Sequence, residues 1–142
     1  MIYNGCSIAF NEGLKHIAKN LKETSPSIIM AVPLILEGMY KKIWSQASRK
    51  KSTRLKLGAA IKLSDTLYNL LKIDIRKKLF KQIHESIGGN IRLIISGAAA
   101  MNPEVIKGFR SIGIDVLQGY GLTECSPIVT VNREKNFKYP SI

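Results

Sequence analysis

Carboxylates are scarce in this 142-residue sequence. Ten Asp and Glu stand against 22 Lys and Arg, for a formal net charge of +12. A surface so biased attracts anions: nucleic acid, anionic lipid or an anionic substrate. Cysteine is scarce too. Cys6 and Cys125 form no metal-binding spacing with each other or with His16 and His84, so neither a zinc site nor a disulfide framework is expected. Two free thiols suit a reducing cytosol. No apolar run reaches the roughly 18 to 20 residues that a membrane span needs. The N-terminus has no charged leader followed by an apolar stretch, so no secretory signal is expected. Internal repeats and low-complexity tracts are absent as well. What remains is ordinary globular composition, 45% apolar and 23% charged, long enough for one domain with a real core.

The positive charge is unevenly spread. Lys41 to Lys56 carries seven basic residues and no acid, and Lys72 to Lys81 adds five against Asp74 alone. The last 50 residues are nearly balanced. A solvated helix face accounts for such stretches, as does an anion-binding patch. Aromatics among the patches are few (Trp44, Tyr68 and Phe80), which argues against base stacking. No helix-turn-helix or zinc pattern accompanies them.

Along the chain, Cys6 to Phe10 is apolar and β-compatible, and Asn11-Glu12-Gly13 breaks it. Apolar residues at 14, 17, 18 and 21 have helical spacing up to the stop at Thr24-Ser25-Pro26. Ser27 to Val32 has the composition of a buried strand. Pro33 then opens an amphipathic helix through Trp44, and Met30, Met39, Tyr40 and Trp44 are expected to pack in the core. Lys56 to Ile87 is mostly helical in pattern, with His84 on the polar side as a surface or helix-end residue, and Gly88-Gly89-Asn90 ends it. Ile91 to Ile95 predicts a strand that opens into the turn Ser96 to Ala100. Asn102-Pro103-Glu104 has the form of a helix start: capping side chain, proline at the first position, acid in the first turn. Gly113 ends that helix, and Ile114 to Leu117 predicts the next strand. Alternation of strand and helix argues for parallel strands joined by crossover helices.

That last strand leads into Gln118-Gly119-Tyr120-Gly121-Leu122-Thr123-Glu124-Cys125-Ser126-Pro127. Gly119 and Gly121 allow a sharp turn or a close approach of backbone to a ligand. Tyr120 offers a flat face to a base. Thr123 can hydrogen-bond a phosphate oxygen, and Glu124 can hold a hard cation that bridges to phosphate. In an open parallel sheet, ligands collect at the carboxyl ends of the strands. Both glycine-containing turns are expected there and can face one ligand.

The ordered set Ser96-Gly97-Ala98-Ala99, amphipathic helix, apolar strand and Gln118 to Glu124 resembles the adenylate-forming (AMP-binding) superfamily. Within it the acyl-CoA synthetases, and most closely the bacterial long-chain fatty-acid CoA ligases, share this pattern. The resemblance runs through nearly the whole chain and is densest over residues 91–127. It implies an α/β fold: a parallel-sheet segment with flanking helices, part of a large N-terminal domain. It implies an acid–thiol ligase that joins a fatty acid to CoA through an acyl-adenylate, with ATP and Mg²⁺. The turn residues Gly97, Ala98 and Ala99 would line the adenine and acyl pockets. Tyr120 would stack on adenine, Gln118 and Gly119 would border the adenine and the reacting acyl head, and Gly121 would belong to the same cofactor-binding set. Thr123 would bind the α-phosphate and Glu124 the Mg²⁺, which makes these two the catalytic candidates.

Departures from the family's pattern matter equally. The phosphate loop rich in Ser, Thr and Gly, the aspartate for the ribose hydroxyls and the C-terminal lid domain with its lysine have no counterpart in residues 1–142. The chain is therefore expected to be an internal part of an AMP-binding domain, inactive in isolation. A cytoplasmic location with peripheral contact to anionic membrane fits the charge. The competing reading is a stand-alone basic module for nucleic acid or an anionic membrane surface.

Overall fold

The computed structural model describes residues 3, 5–47, 60, 61, 63 and 75–133. Helix α1 spans Ile17–Thr24 after a single 3₁₀ turn at Leu14–His16. Ser25 ends it with a left-handed backbone, φ 43°, and its N–H donates to the Leu21 carbonyl at 3.0 Å. Strand β1 (Ile28–Ala31) follows, then α2 (Pro33–Ala47), with proline at the first helical position as the sequence predicts. Two short helices, α3 (Arg76–Leu79) and α4 (Lys81–Ser86), precede β2 (Leu93–Ser96). Helix α5 (Pro103–Ser111) leads to β3 (Asp115–Tyr120), and β4 (Thr130–Val131) closes the order.

The start of α5 has the expected chemistry. Asn102 is its N-cap, and its Oδ1 accepts from the Glu104 N–H at 2.9 Å, satisfying one of the helix's orphan donors. Gly88 and Gly89 take positive φ, 103° and 84°, as the break after α4 requires.

The four strands lie in the order β1-β2-β3-β4. β1, β2 and β3 are parallel, with Ala31, Ser96 and Gln118 in one register row. β4 pairs antiparallel with β3, so the sheet is parallel with an antiparallel edge. Helices α2 and α5 touch one another, and α5 touches β3. Between them and the sheet lies the core. Leu36, Ile94, Ile106, Phe109, Ile112, Ile114 and Val116 are essentially inaccessible to water. Gly108 lets α5 approach α2: a Cβ there would stand 2.2 Å from the Tyr40 ring. Tyr40 stacks on Trp44, centroids 4.4 Å apart, and tilts against Phe109 at 6.1 Å. Burial, and secondarily the Glu104 carboxylate, push the Tyr40 phenol above its ordinary pKa of 10.0, so it stays neutral at physiological pH. Met39, Tyr40 and Trp44 are thus core-packing residues.

Three expectations are corrected. Cys6 to Phe10 is exposed and forms no strand; without a neighbouring strand its backbone donors have no ladder to join. Met30 is 62% exposed, because alternation along β1 puts it on the face of the sheet opposite α2 and α5. His84 is buried, not superficial. Its Nε2 lies 2.8 Å from the Ile112 carbonyl oxygen, an atom that only accepts, so Nε2–H donates. One imidazole thereby ties α4 to the chain leaving α5. Most of the helical stretch expected over 56–87, and Arg49 to Lys56 of the basic stretch, lie outside the described residues; Lys41, Lys42, Lys77, Lys78 and Lys81 are exposed.

Candidate functional site

Three parallel strands end at the same edge, and their carboxyl ends enclose a groove of about 400 Å³. Met30, Ala31 and Val32 come from the end of β1. Ile95, Ser96, Gly97 and Ala98 come from the end of β2 and its turn, and Gly119, Tyr120 and Gly121 from the end of β3. Pro127, Ile128 and Val131 close the far side. Topology dictates this meeting. Parallel strands send all their outgoing loops to one edge, so residues far apart in sequence, such as Ala31, Gly97 and Gly119, become neighbours.

The turn after β2 is made of small residues for a local reason. Ala98 has φ 72°, the left-handed region, where alanine is tolerated at modest cost and bulky side chains are not. Gly97 has no positive φ, and a Cβ on it would sit at an ordinary 3.6 Å from the Gly119 carbonyl oxygen. Gly119 is also a strand residue with room for a Cβ, 3.7 Å from Val131 Cγ2. Of the two motif glycines only Gly121 is sterically obligatory. A Cβ there would lie 1.8 Å from the Pro127 carbonyl oxygen, so the returning loop can pass only over glycine. The sharp turn expected at Gly119 is therefore extended strand, and the turning falls later. Thr123–Cys125 is a 3₁₀ turn, and Ser126 follows with φ 61°.

Tyr120 is 50% exposed at the end of β3, with its backbone pinned to β4: the Val129 N–H donates to its carbonyl at 3.0 Å. Its ring is thus free to stack while its position is fixed. Thr123 and Glu124 stand exposed on the 3₁₀ turn, next in the chain to the groove but not in its wall. Ala99 is likewise exposed and outside the wall. Gln118 does not face the groove either. It is buried, and its Oε1 accepts from the Met101 N–H at 3.1 Å. The site candidates thus divide into a set the structure brings together around the groove (Gly97, Ala98, Gly119, Tyr120, Gly121), a pair on the adjoining turn (Thr123, Glu124), and Ala99 and Gln118 beside it.

Two residues of this region carry no role in the sequence reading. Ser96 is buried in the groove wall, and its Oγ has no hydrogen-bond partner among the described residues. Asn132 follows β4; its Oδ1 accepts from the Gln118 N–H at 3.2 Å, and its own N–H donates to the Gln118 carbonyl at 3.0 Å. An Asn just after an apolar β-branched run is the available signal, since its short amide bonds nearby backbone readily.

A second groove, of about 460 Å³, lies along α2 and α5 with Tyr40, Trp44, Arg76, Lys107 and Arg110 in its wall. Its charges are mutually engaged. Lys107 meets Glu104 at 3.3 Å, Arg110 meets Asp115 at 3.5 Å, and Arg76 Nη1 donates to the Arg110 carbonyl at 2.9 Å. No motif residue lines it, so the groove at the strand ends is the candidate site. Among the described residues no group of three or more His, Cys, Asp or Glu is gathered to hold a metal ion. A cation shared with a ligand's oxygens is a different case, since Mg²⁺ commonly takes one or two protein carboxylates with water and phosphate. The exposed, single Glu124 carboxylate fits that donor set.

The profile of the AMP-binding enzymes matches residues 1–142. The chain belongs to the AMP-binding enzyme family. Human long-chain-fatty-acid–CoA ligase 6 is 33% identical over 128 residues, covering 87% of this chain and 18% of that protein. Long chain acyl-CoA synthetase 3 of Arabidopsis thaliana is 31% identical over 139 residues, 87% of this chain and 20% of that protein. The chain thus spans about a fifth of the length of the curated relatives it matches. Among solved structures, the anthranilate CoA ligase AuaEII, in complex with anthranoyl-AMP, aligns with a TM-score of 0.52 at 14% identity, over 88% of this chain and 17% of that one. The A-PCP didomain of carboxylic acid reductase from Segniliparus rugosus, in complex with AMP, aligns with a TM-score of 0.55 at 22% identity, over 87% and 15%. These likenesses establish the fold: the α/β arrangement described above is that of adenylate-forming enzymes. Nothing among them favours a nucleic-acid module. Among the described residues no helix is long and apolar enough to cross a membrane.

Proposed function

We propose that residues 1–142 are part of the adenylation domain of an ATP-dependent fatty-acid CoA ligase. The family match over the whole chain, together with motif residues gathered at one strand-end groove, carries the reading. The phosphate loop, the ribose aspartate and the lid lysine would come from other segments of a protein as long as its relatives.

Such a ligase works in two half-reactions. A fatty-acid carboxylate oxygen attacks the α-phosphorus of ATP, the P–O bond to pyrophosphate breaks, and acyl-adenylate forms. The thiol of CoA then attacks the acyl carbon and AMP departs. Neither step needs a covalent bond to the protein, so the chain contributes position and charge. Tyr120, half-exposed with a fixed backbone, stacks on adenine. Gly97 and Ala98 offer a wall without bulk on one side, with Ala99 beside it, and Gly119 and Gly121 border the base on the other. Thr123 donates its hydroxyl to an α-phosphate oxygen. Glu124 is the residue that would hold Mg²⁺, which when bound offsets charge on the phosphates. The apolar wall of Met30, Val32, Ile95 and Ile128 suits the methylenes next to the acyl carboxylate. The basic stretches suit peripheral contact with anionic lipid, where a fatty acid resides, and a cytoplasmic protein.

Glu124→Gln in the whole enzyme should lower pyrophosphate release by roughly 10²- to 10³-fold, as loss of one charge-stabilising contact does. Stability should be unchanged, since the side chain is exposed. Release at the wild-type rate would remove Glu124 from the site. Residues 1–142 alone should bind Mg-ATP weakly and turn nothing over, because most of the groups that would face the triphosphate lie elsewhere. Tight binding in isothermal titration would overturn that division of labour.

A further inference from the structure

Gln118 makes contacts that a ligand-facing role does not explain. Its side chain is buried beneath the turn after β2, not directed at the groove. Ser96, the last residue of β2, is its partner in the sheet register. Met101, the first residue beyond the turn, donates its N–H to Gln118 Oε1 at 3.1 Å in a buried position. Both ends of the 97–100 turn are therefore fastened to one residue. The turn contains Ala98 in the left-handed region, a conformation that persists only where the surroundings hold it. Beyond Met101, Asn102 is committed to capping α5, so the turn has little slack on that side.

Gln118 is in turn held by Asn132. Both the N–H and the carbonyl of Gln118 bond to that residue, at 3.2 Å through Asn132 Oδ1 and at 3.0 Å from the Asn132 N–H. Asn132 ends the loop that leaves β3, carries Thr123 and Glu124, and returns through β4. The two loops flanking the groove thus meet at Gln118, one through its side chain and one through its backbone.

We propose that Gln118 and Asn132 are positioning residues for adenylation: they form a clamp that fixes the separation of the 97–100 turn from the loop bearing Thr123 and Glu124. This rests on the function proposed above and changes one role that the resemblance implied, because Gln118 acts through Met101 and not by bordering adenine. A base held between a stacking ring and small residues presents its α-phosphate in line with the acyl carboxylate only at a set spacing. A displacement of about 1 Å in such a site can cost on the order of 10²-fold in rate.

The test has two arms in the whole protein that carries residues 1–142. In the first, amide exchange of the peptide spanning 97–102 is measured without nucleotide. Gln118→Met fills the same space without an acceptor and should speed exchange at Met101 about tenfold, the loss of one hydrogen bond. Gln118→Glu keeps the acceptor and should not. In the second arm, pyrophosphate release is followed. Gln118→Met and Asn132→Ala should lower kcat roughly tenfold to a hundredfold. The KM for fatty acid should be unchanged, and Asn132→Asp, which keeps Oδ1, should restore the rate. Asn132→Ala, at a partly exposed position, serves where Gln118→Met fails to fold. Unchanged exchange in Gln118→Met overturns the clamp. Faster exchange with wild-type kcat, or a loss confined to KM for ATP, overturns its positioning role. A wild-type protein that releases no pyrophosphate overturns the ligase reading and this inference with it, whereas the exchange arm needs no substrate and separates the two failures.

Discussion

The two loops that flank the groove are built in opposite ways. The turn 97–100 is short and spans two buried anchors, Ser96 and Met101. The loop 121–129 is exposed at every residue and held chiefly by backbone bonds: Cys125 N–H to Leu122 and Ser126 N–H to Thr123 within itself, and Val129 N–H to Tyr120 at the end of β3. The first offers shape, and the second offers the hydroxyl and the carboxylate. Segments that must admit and release a ligand come from the least packed parts of a fold, while the surface they close on comes from the most packed. In this chain one strand, β3, supports both kinds. It is buried at Val116 and Gln118, then half-exposed at Tyr120, and so passes rigidity from core to site within five residues.

The comparison can be broken from either side. Phe109 is fully buried between α5 and its neighbours, so Phe109→Ala should cost about 3–5 kcal/mol of stability, read as a lower denaturation midpoint. A loss below about 1 kcal/mol would mean that the unit is packed less tightly than its burial implies. Gly121→Ala acts on the loop instead. The added methyl collides with the Pro127 carbonyl, so the loop must shift, and pyrophosphate release should fall by about 10²-fold while the midpoint moves little. Equal damage to stability and rate would show that the loop is part of the core. The smallest effect on chemistry is expected from Arg49, Lys50, Lys51 and Arg54 changed together to Gln. Binding to anionic vesicles at low salt should weaken, with adenylation in detergent within about twofold of wild type. Vesicle binding by the wild type that is insensitive to salt would remove the electrostatic patch.

Fold and family were legible in local pattern. Strands β1, β2 and β3, helices α1, α2 and α5, and the cap at Asn102 follow from periodicity, proline placement and capping chemistry, each of which acts within a few residues. The Cys6 to Phe10 run misleads because strand formation needs a partner that sequence alone does not supply. His84 misleads for a related reason: its place in the helical pattern is polar, yet the carbonyl of Ile112, 28 residues on, meets it inside.

The site divides along the same line. Local pattern set which residue types sit after β2 and β3: small residues in one turn, aromatic, hydroxyl and acid in the other. It also determined that parallel strands would bring both turns to one edge. Packing across the chain made Gly121 the obligatory glycine and Gly119 a strand residue. It alone decided that Gln118 points beneath the turn, and that Asn132 reaches back to bond its backbone. Capping and periodicity are short-range and are written in neighbours along the chain. The clearance beside Gly121 and the partners of a buried amide are distances across space, fixed only once the loop has returned and the strands have paired.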